Sequence, residues 1–396
     1  MNYRVEVLEG YTAEIGRIEQ ALREFGEDVI DRAADTEQIT RYAWRRYQKA
    51  AVAGDLKELM AVDGVLDRAI SRLADPSDLH LLKANLAFKL HRLDHVRAAL
   101  AAATRVRESR EARVLAADLA FQEGRYDAAR EGYEQLLAEE RSWDALARLA
   151  HFLFKMGDDS GAERLYEEAQ DSLTAKQMRP FAWLETQRGL MDFQRGLLAE
   201  AERRYSNADR AYPGYWLVQE HLAELWGAQG RYSDAIALLE SIVKRFARPD
   251  LEQALGELCD LAGRAEDAAI WKDKALAAYL RSAQAGETHY FHHLVDYYAD
   301  VAEEGDQATF WAMKDVELRE NFSTQQALAW ALYQAGRLND AVHWIERALG
   351  SGACAAKLYH QAAQIHSAAG EREKGLSLMS LAARTNPHVE GFHIHH

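Results

Sequence analysis

The stretch THYFHHLVDYY, residues 288–298, places His289, His292, His293 and Asp296 close together. On an α-helix these four fall at about 0°, 300°, 40° and 340°, within an arc of roughly 100° at 100° per residue. His289 and His293 are i, i+4 neighbours, a spacing from which two imidazoles can chelate one Zn²⁺ or Cu²⁺. The competing readings are an unmetallated groove contact and ordinary packing histidines. A second cluster, His393, His395 and His396 in HVEGFHIHH, could bind metal weakly. No other chemistry announces itself. There is no serine nucleophile motif, glycine-rich phosphate loop, HExxH or CxxC, so no catalysis and no cofactor beyond that metal is expected. Cys259 and Cys354 read as ordinary packed thiols.

What would hold these residues is decided by the rest of the chain. Of 396 residues 48% are apolar and only five are proline, and segments rich in Ala, Leu, Glu and Arg recur throughout, a composition that favours helix. With 48 Lys and Arg against 63 Asp and Glu the net charge is −15. Such a surface repels phosphate and argues against nucleic acid or anionic membranes as partners. Two cysteines form no disulfide framework, and neither a signal-type apolar run nor a spanning segment is present. The expectation is a soluble cytoplasmic protein, or the mature form of an exported one.

Self-comparison shows a repeat. EGRYDAAREGY (123–133), RGLLAEAERRY (195–205), QGRYSDAIALL (229–239), AGRAEDAAIWK (262–272) and AGRLNDAVHWI (335–345) share a turn residue followed by a small one five places on. The turn positions are Gly54, His91, Gly124, Gly157, Gly196, Gly230, Gly263, Gly305, Gly336 and Gly370. Seven before the turn stand Ala84, Ala117, Ala150, Gly189, Ala223, Gly256, Ala329 and Ala363, and five after it Ala129, Ala162, Ala201, Ala235, Ala268, Ala341 and Gly375. Small residues at fixed offsets on two helices let their axes approach closely, and the glycine ends the first helix. One such pair cannot bury both faces, so pairs must stack.

These columns resemble the tetratricopeptide repeat (TPR) family over about residues 40–386. The resemblance implies an all-α, right-handed solenoid of nine or ten antiparallel helix pairs over 39–386, with a concave groove that holds a peptide or protein segment. It weakens at Leu59 and Val96, and breaks at Gly305, where Tyr298 and Phe310 occupy the small positions; the irregular repeat spans about 280–312 and contains the histidine stretch. By register its first helix begins near His292, which leaves His289 in the preceding loop. Residues 1–38 are expected to form a helical cap. After Pro387 comes a tail, 387–396, whose Val389, Phe392 and Ile394 either fold back over the last apolar face or leave it to a partner or to a second copy in a homodimer.

Residues ten, six and three before each turn should face the groove. They give Glu220, Glu224, Gln253, Glu257 and Asp260 as an acidic middle, and Gln326, Trp330, Tyr333, His360 and Gln364 at the far end; His292 falls on the same face. In the first half Phe88, Phe121, Phe154 and Phe193 form a ladder, which could equally be core. The expected partner is a segment with apolar anchors and basic residues. The Lys and Asn pairing of a C-terminal carboxylate clamp is missing from the matching positions. If the register is right, Ala235→Trp overpacks a helix contact and costs about 1–3 kcal/mol in denaturant unfolding; an unchanged midpoint would mean the turns are misaligned.

Overall fold

The computed structural model describes residues 10–25, 29–32, 36–73, 76–106, 108–174 and 176–392. Every regular element among them is helical. After Tyr11–Arg23 and Val29–Arg32 come the pairs, each a helix A and a helix B. Repeat 1 is Thr36–Ala53 with Leu56–Arg72, repeat 2 Ser77–Lys89 with Leu93–Val106, and repeat 3 Arg110–Gln122 with Tyr126–Glu139. Repeat 4 is Trp143–Lys155 with Asp159–Asp171, repeat 5 Met178–Gln194 with Leu198–Ala211, and repeat 6 Trp216–Ala228 with Tyr232–Val243. Repeat 7 is Pro249–Leu261 with Ala265–Gln284, repeat 9 Phe322–Gln334 with Leu338–Gly350, and repeat 10 Ala356–Ala368 with Arg372–Thr385. No described helix is long and apolar enough to cross a membrane.

The two small-residue columns are where each A helix meets its B helix. Ala117, Ala150, Ala223 and Ala329 are buried, as are Ala129, Ala162, Ala201, Ala235 and Ala341. At Gly189 a Cβ would lie 2.4 Å from Tyr205 Cε1, so the glycine there makes room for the tyrosine of its own B helix. Outside repeat 8, each A helix closes by a bond from the residue after the turn back to the carbonyl five positions earlier, for example Arg125 N to Ala120 O at 2.9 Å and Arg337 N to Leu332 O at 2.8 Å. That closure puts the turn residue in the left-handed region.

Repeat 8 departs from the expected register. Its A helix, Phe291–Asp296, runs on into a π-helical turn, Tyr297–Val301, and the left-handed turn residue is Glu303, φ 54°, not Gly305. With the turn at Glu303, the residue five places on is Ala308, which is buried, so the small column resumes. Gly305 has a different task. A Cβ there would come 2.3 Å from Ala335 N, so the glycine admits the A–B turn of repeat 9.

The stack also winds back onto itself with a fixed offset of six repeats. The turn of repeat 1 meets the start of repeat 7, where Arg248 Nη1 donates to Gly54 O at 3.4 Å. The repeat 2 turn meets repeat 8 through Arg92 Nη2 and Glu287 Oε2 at 2.5 Å. In repeat 3 Gln122 O accepts from Asn321 Nδ2 of repeat 9 at 2.9 Å, and in repeat 4 Lys155 O accepts from Cys354 N, which precedes repeat 10, at 2.8 Å. At repeat 5, where an eleventh A helix would be seated, Asn386 Nδ2 donates to Phe193 O at 3.4 Å. Ahead of repeat 1 the first helix continues the seam: Tyr11 N donates to Pro213 O at 3.1 Å.

The seam divides one sequence column into two classes. A Cβ on Gly124 would lie 2.5 Å from Glu320 O, whereas one on Gly336 would meet nothing within 4 Å. Both have positive φ, 70° and 72°. Gly336→Ala should therefore cost on the order of 1 kcal/mol, from the backbone alone. Gly124→Ala should exceed that by about 1–3 kcal/mol, because it also pushes the two layers apart. Equal losses in urea unfolding would contradict the seam.

Candidate functional site

Between the two layers lies a cavity of about 840 Å³. One wall comes from the turns of repeats 3–5, with Phe121, Tyr126, Phe154, Lys155 and Arg195. The other comes from repeats 8–10, with His292, Asp296, Phe322, Trp330, Lys357 and Tyr359, and Arg384, Asn386 and Val389 close one end. The aromatic wall is braced across the seam: Phe322 N donates to Tyr126 Oη at 2.9 Å, and the Tyr126 and Phe322 rings lie 6.2 Å apart.

Charge is unevenly answered around this cavity. Arg195 Nε pairs with Asp159 Oδ2 at 3.0 Å, and Arg319 pairs with Asp315 through two contacts at 3.0 and 3.2 Å. Three other cations have no carboxylate partner among the described residues. Lys155 Nζ donates only to Gln194 Oε1, at 3.1 Å, and stands 5.4 Å from the centre of the Phe154 ring. Arg384 reaches Ser380 Oγ at 3.1 Å. Lys357 is the second residue of helix A of repeat 10, whose N-cap, Ala355, offers no side-chain cap. Burial pushes the Lys155 ammonium down to about 8.

The histidine stretch falls at the seam between repeats 2 and 8. His289 precedes the helix, which starts at Phe291. The ring beside it is one the local sequence did not suggest: His91, at the turn of repeat 2 with φ 57°, lies 4.8 Å from His289 and 5.4 Å from His292. His293 stacks on Tyr279 at 5.4 Å and 7°, and its ring lies 4.1 Å from that of His292. Burial holds His289 down to about 4 and His91 and His292 well below their ordinary value; Arg319 adds to the effect on His91, and His293 and Arg319 to that on His292. Among the described residues no three His, Cys, Asp or Glu converge as a ligand set, so His289, His292, His293 and Asp296 do not share one centre. His393, His395 and His396 lie outside the described residues, as does Ile394.

Of the groove residues expected from spacing, His292, Gln326 and Trp330 reach the cavity. Trp330 stacks on Tyr333 at 5.1 Å and donates to Asp300 Oδ1 at 2.7 Å. The acidic middle is corrected. Glu220 and Glu224 are 0% and 2% exposed, sealed between repeats instead of facing a groove, and Glu224 Oε2 meets His221 Nδ1 at 3.3 Å. Gln253 is buried and bonded to Glu257 and Tyr279, at 2.8 and 3.0 Å. Asp260 is taken up by Lys272. His360 contacts Glu390 at 3.2 Å and Gln364 at 3.3 Å. The phenylalanine ladder splits: Phe121 and Phe154 line the cavity, and Phe193 is core.

Lys155, Lys357 and Arg384 carried no signal in the sequence, because the offset of six repeats that gathers them is a property of the coil. The segments of Lys155 and Lys357 touch directly, Cys354 N on Lys155 O, and that of Arg384 is linked through repeat 5, Asn386 on Phe193 O and Lys155 on Gln194. The depressed Lys155 pKa gives a test with a defined sign. A folded-state pKa below the unfolded value of about 10.5 means that the folded chain binds fewer protons between pH 8 and 10.5, so stability rises with pH across that window. Wild type should gain on Lys155→Met between pH 8 and 10.5 in urea unfolding; parallel curves would show a solvated ammonium.

A family model described as the TT21 fifth ARM repeats domain matches residues 110–211. No match is found among curated proteins. Solved structures that resemble the chain include a human IFIT1 dimer with PPP-AAAA, at 13% identity over 96% of this chain and 98% of that one with TM-score 0.45. The APC/C hetero-tetramer Cut9–Hcn1 is 14% identical over 95% and 80%, with TM-score 0.45. A tetratricopeptide repeat protein from Parabacteroides merdae ATCC 43184 is 17% identical over 61% and 98%, with TM-score 0.35. The paired helices, the turn residues and the buried small columns make the described residues an all-helical array of stacked antiparallel helix pairs.

Proposed function

We propose that the protein is a binding scaffold that holds an extended segment of a partner protein in the cavity between its layers. The segment presents an acidic group to Lys155, Lys357 and Arg384 and apolar side chains to Phe121, Phe154 and Tyr359. The observation that supports this most is the three cations without a carboxylate, which face a cavity in a chain of net charge −15. At Lys155 burial makes the charged form costly, and an incoming anion relieves that cost. The sequence pointed to a basic partner through Glu220, Glu224, Glu257 and Asp260, but the first two are out of reach of any ligand. No step of chemistry is required for this reading.

Labelled decapeptides that alternate Leu with Glu, Gln or Lys test it by fluorescence anisotropy. The Glu peptide should bind about tenfold or more tighter than the Lys peptide, a difference of about 1.4 kcal/mol. In Lys155→Gln/Lys357→Gln the gap should shrink to about twofold, since the charge term has been removed. Equal affinities for the three peptides, or none, would reject the proposal. Preference for an oligoribonucleotide of the same length at physiological salt would reassign the cavity to nucleic acid.

A further inference from the structure

Helix A carries a phenylalanine three residues before the turn in repeats 2–5, namely Phe88, Phe121, Phe154 and Phe193. In repeat 6 that position is Gly227. It lies inside helix Trp216–Ala228 and is not among the glycines of positive φ, so no turn asks for it. A glycine within a helix is disfavoured against almost any other residue. What occupies the vacated space is the ring of Phe392. A Cβ on Gly227 would lie 2.4 Å from Phe392 Cδ1 and 2.9 Å from Phe392 Cε1, with Leu258 Cδ2 of repeat 7 at 2.8 Å. The aromatic missing from the column is thus supplied by a segment more than 160 residues away in sequence.

The route of that segment is also informative. Asn386 is fixed at the seam on Phe193 O, and its Oδ1 accepts from His388 N at 2.8 Å. Gly391 N donates to His388 O at 2.8 Å. Val389 lines the cavity, and Glu390 meets His360 at 3.2 Å. Residues 387–392 therefore leave repeat 10, pass the cavity and end on repeat 6. They do not cover the last face of the stack, where Leu376 stays 62% exposed. Short local bonds and one ring hold the segment, and all of them can be exchanged for those of another extended chain.

We propose that the space over Gly227 is an aromatic-anchor subsite, filled in the free protein by Phe392 and taken over by a phenylalanine of the partner segment when residues 387–392 are displaced. This rests on the reading of the cavity as a segment-binding site. It adds an anchor of defined chemistry and makes the chain's own C-terminal segment a competitor for it.

The probe is a fluorescein-labelled peptide of residues 386–396, NPHVEGFHIHH, added to the full chain. Phe392→Ala protein should bind it about tenfold or more tighter than wild type, whose subsite is already filled. Phe392→Ala/Gly227→Ala protein should lose that gain, because the added methyl occupies the seat of the ring. A peptide with alanine in place of its phenylalanine should fail on Phe392→Ala protein, which tests the anchor with the protein unaltered should the Gly227 variant not fold. Equal binding by wild type and Phe392→Ala, or indifference to Gly227→Ala in folded protein, would overturn the proposal. The acidic decapeptide is run on the same proteins. If it binds and the tail peptide does not, the anchor fails and the cavity reading stands; if neither binds, both fail.

Discussion

The contact of each early turn with the start of a helix six repeats later is the constraint from which the rest of the molecule follows. An open stack of helix pairs needs only neighbours to be stable. Here the turns of repeats 1 to 4 also need repeats 7 to 10, and repeat 5 is completed by Asn386. The seam makes a cavity out of what would otherwise be an open groove, and brings Lys155 within reach of the segment that carries Lys357. It also ties residues roughly 200 positions apart into one cooperative unit. Contacts of that span close slowly in folding, since a long loop must be ordered before it is rewarded. The second half of the chain must be in place before the first half can be fully satisfied.

Much of the fold was legible because its determinants are local and periodic. Ala223 and Ala329 say where helices touch, Gly230 and Gly336 say where they end, and neither statement needs a partner distant in sequence. Repeat 8 shows where that reading breaks. Glycine marks the turn in most repeats and Gly305 is the only glycine in range, but the left-handed residue is Glu303. The π-helical turn at Tyr297–Val301 inserts a residue that shifts the frame, and the glycine is used for a close approach to Ala335. A glycine has two separate uses, φ and proximity, and the letter alone does not say which applies.

The site was legible only in part, for the same reason. Trp330 and Gln326 were reached by counting back from turns, since they lie on helices whose groove face is set by their own repeat, and His292 by the histidine stretch alone. Glu220 and Glu224 were misplaced by the same count, because the face they occupy is covered by adjacent helices. His91 could not have been joined to His289 and His292 by any local rule: it stands in a turn where every other early repeat has glycine, and its ring enters a cluster built from the far side of the coil. The acidic balance of the whole sequence likewise hid the cations that the coil gathers at one end of the cavity.

A closed coil of this kind is hard to lengthen or shorten. In an ordinary solenoid, duplication or loss of one unit leaves every surviving interface intact, and such arrays drift in copy number. With a seam of fixed offset, removal of any one of repeats 4 to 6 would slide one layer against the other by a whole unit. Gly124 would then face Cys354 instead of Asn321, and His91 would lose its imidazole neighbours. The number of units is therefore locked by geometry, and change must come by substitution within them.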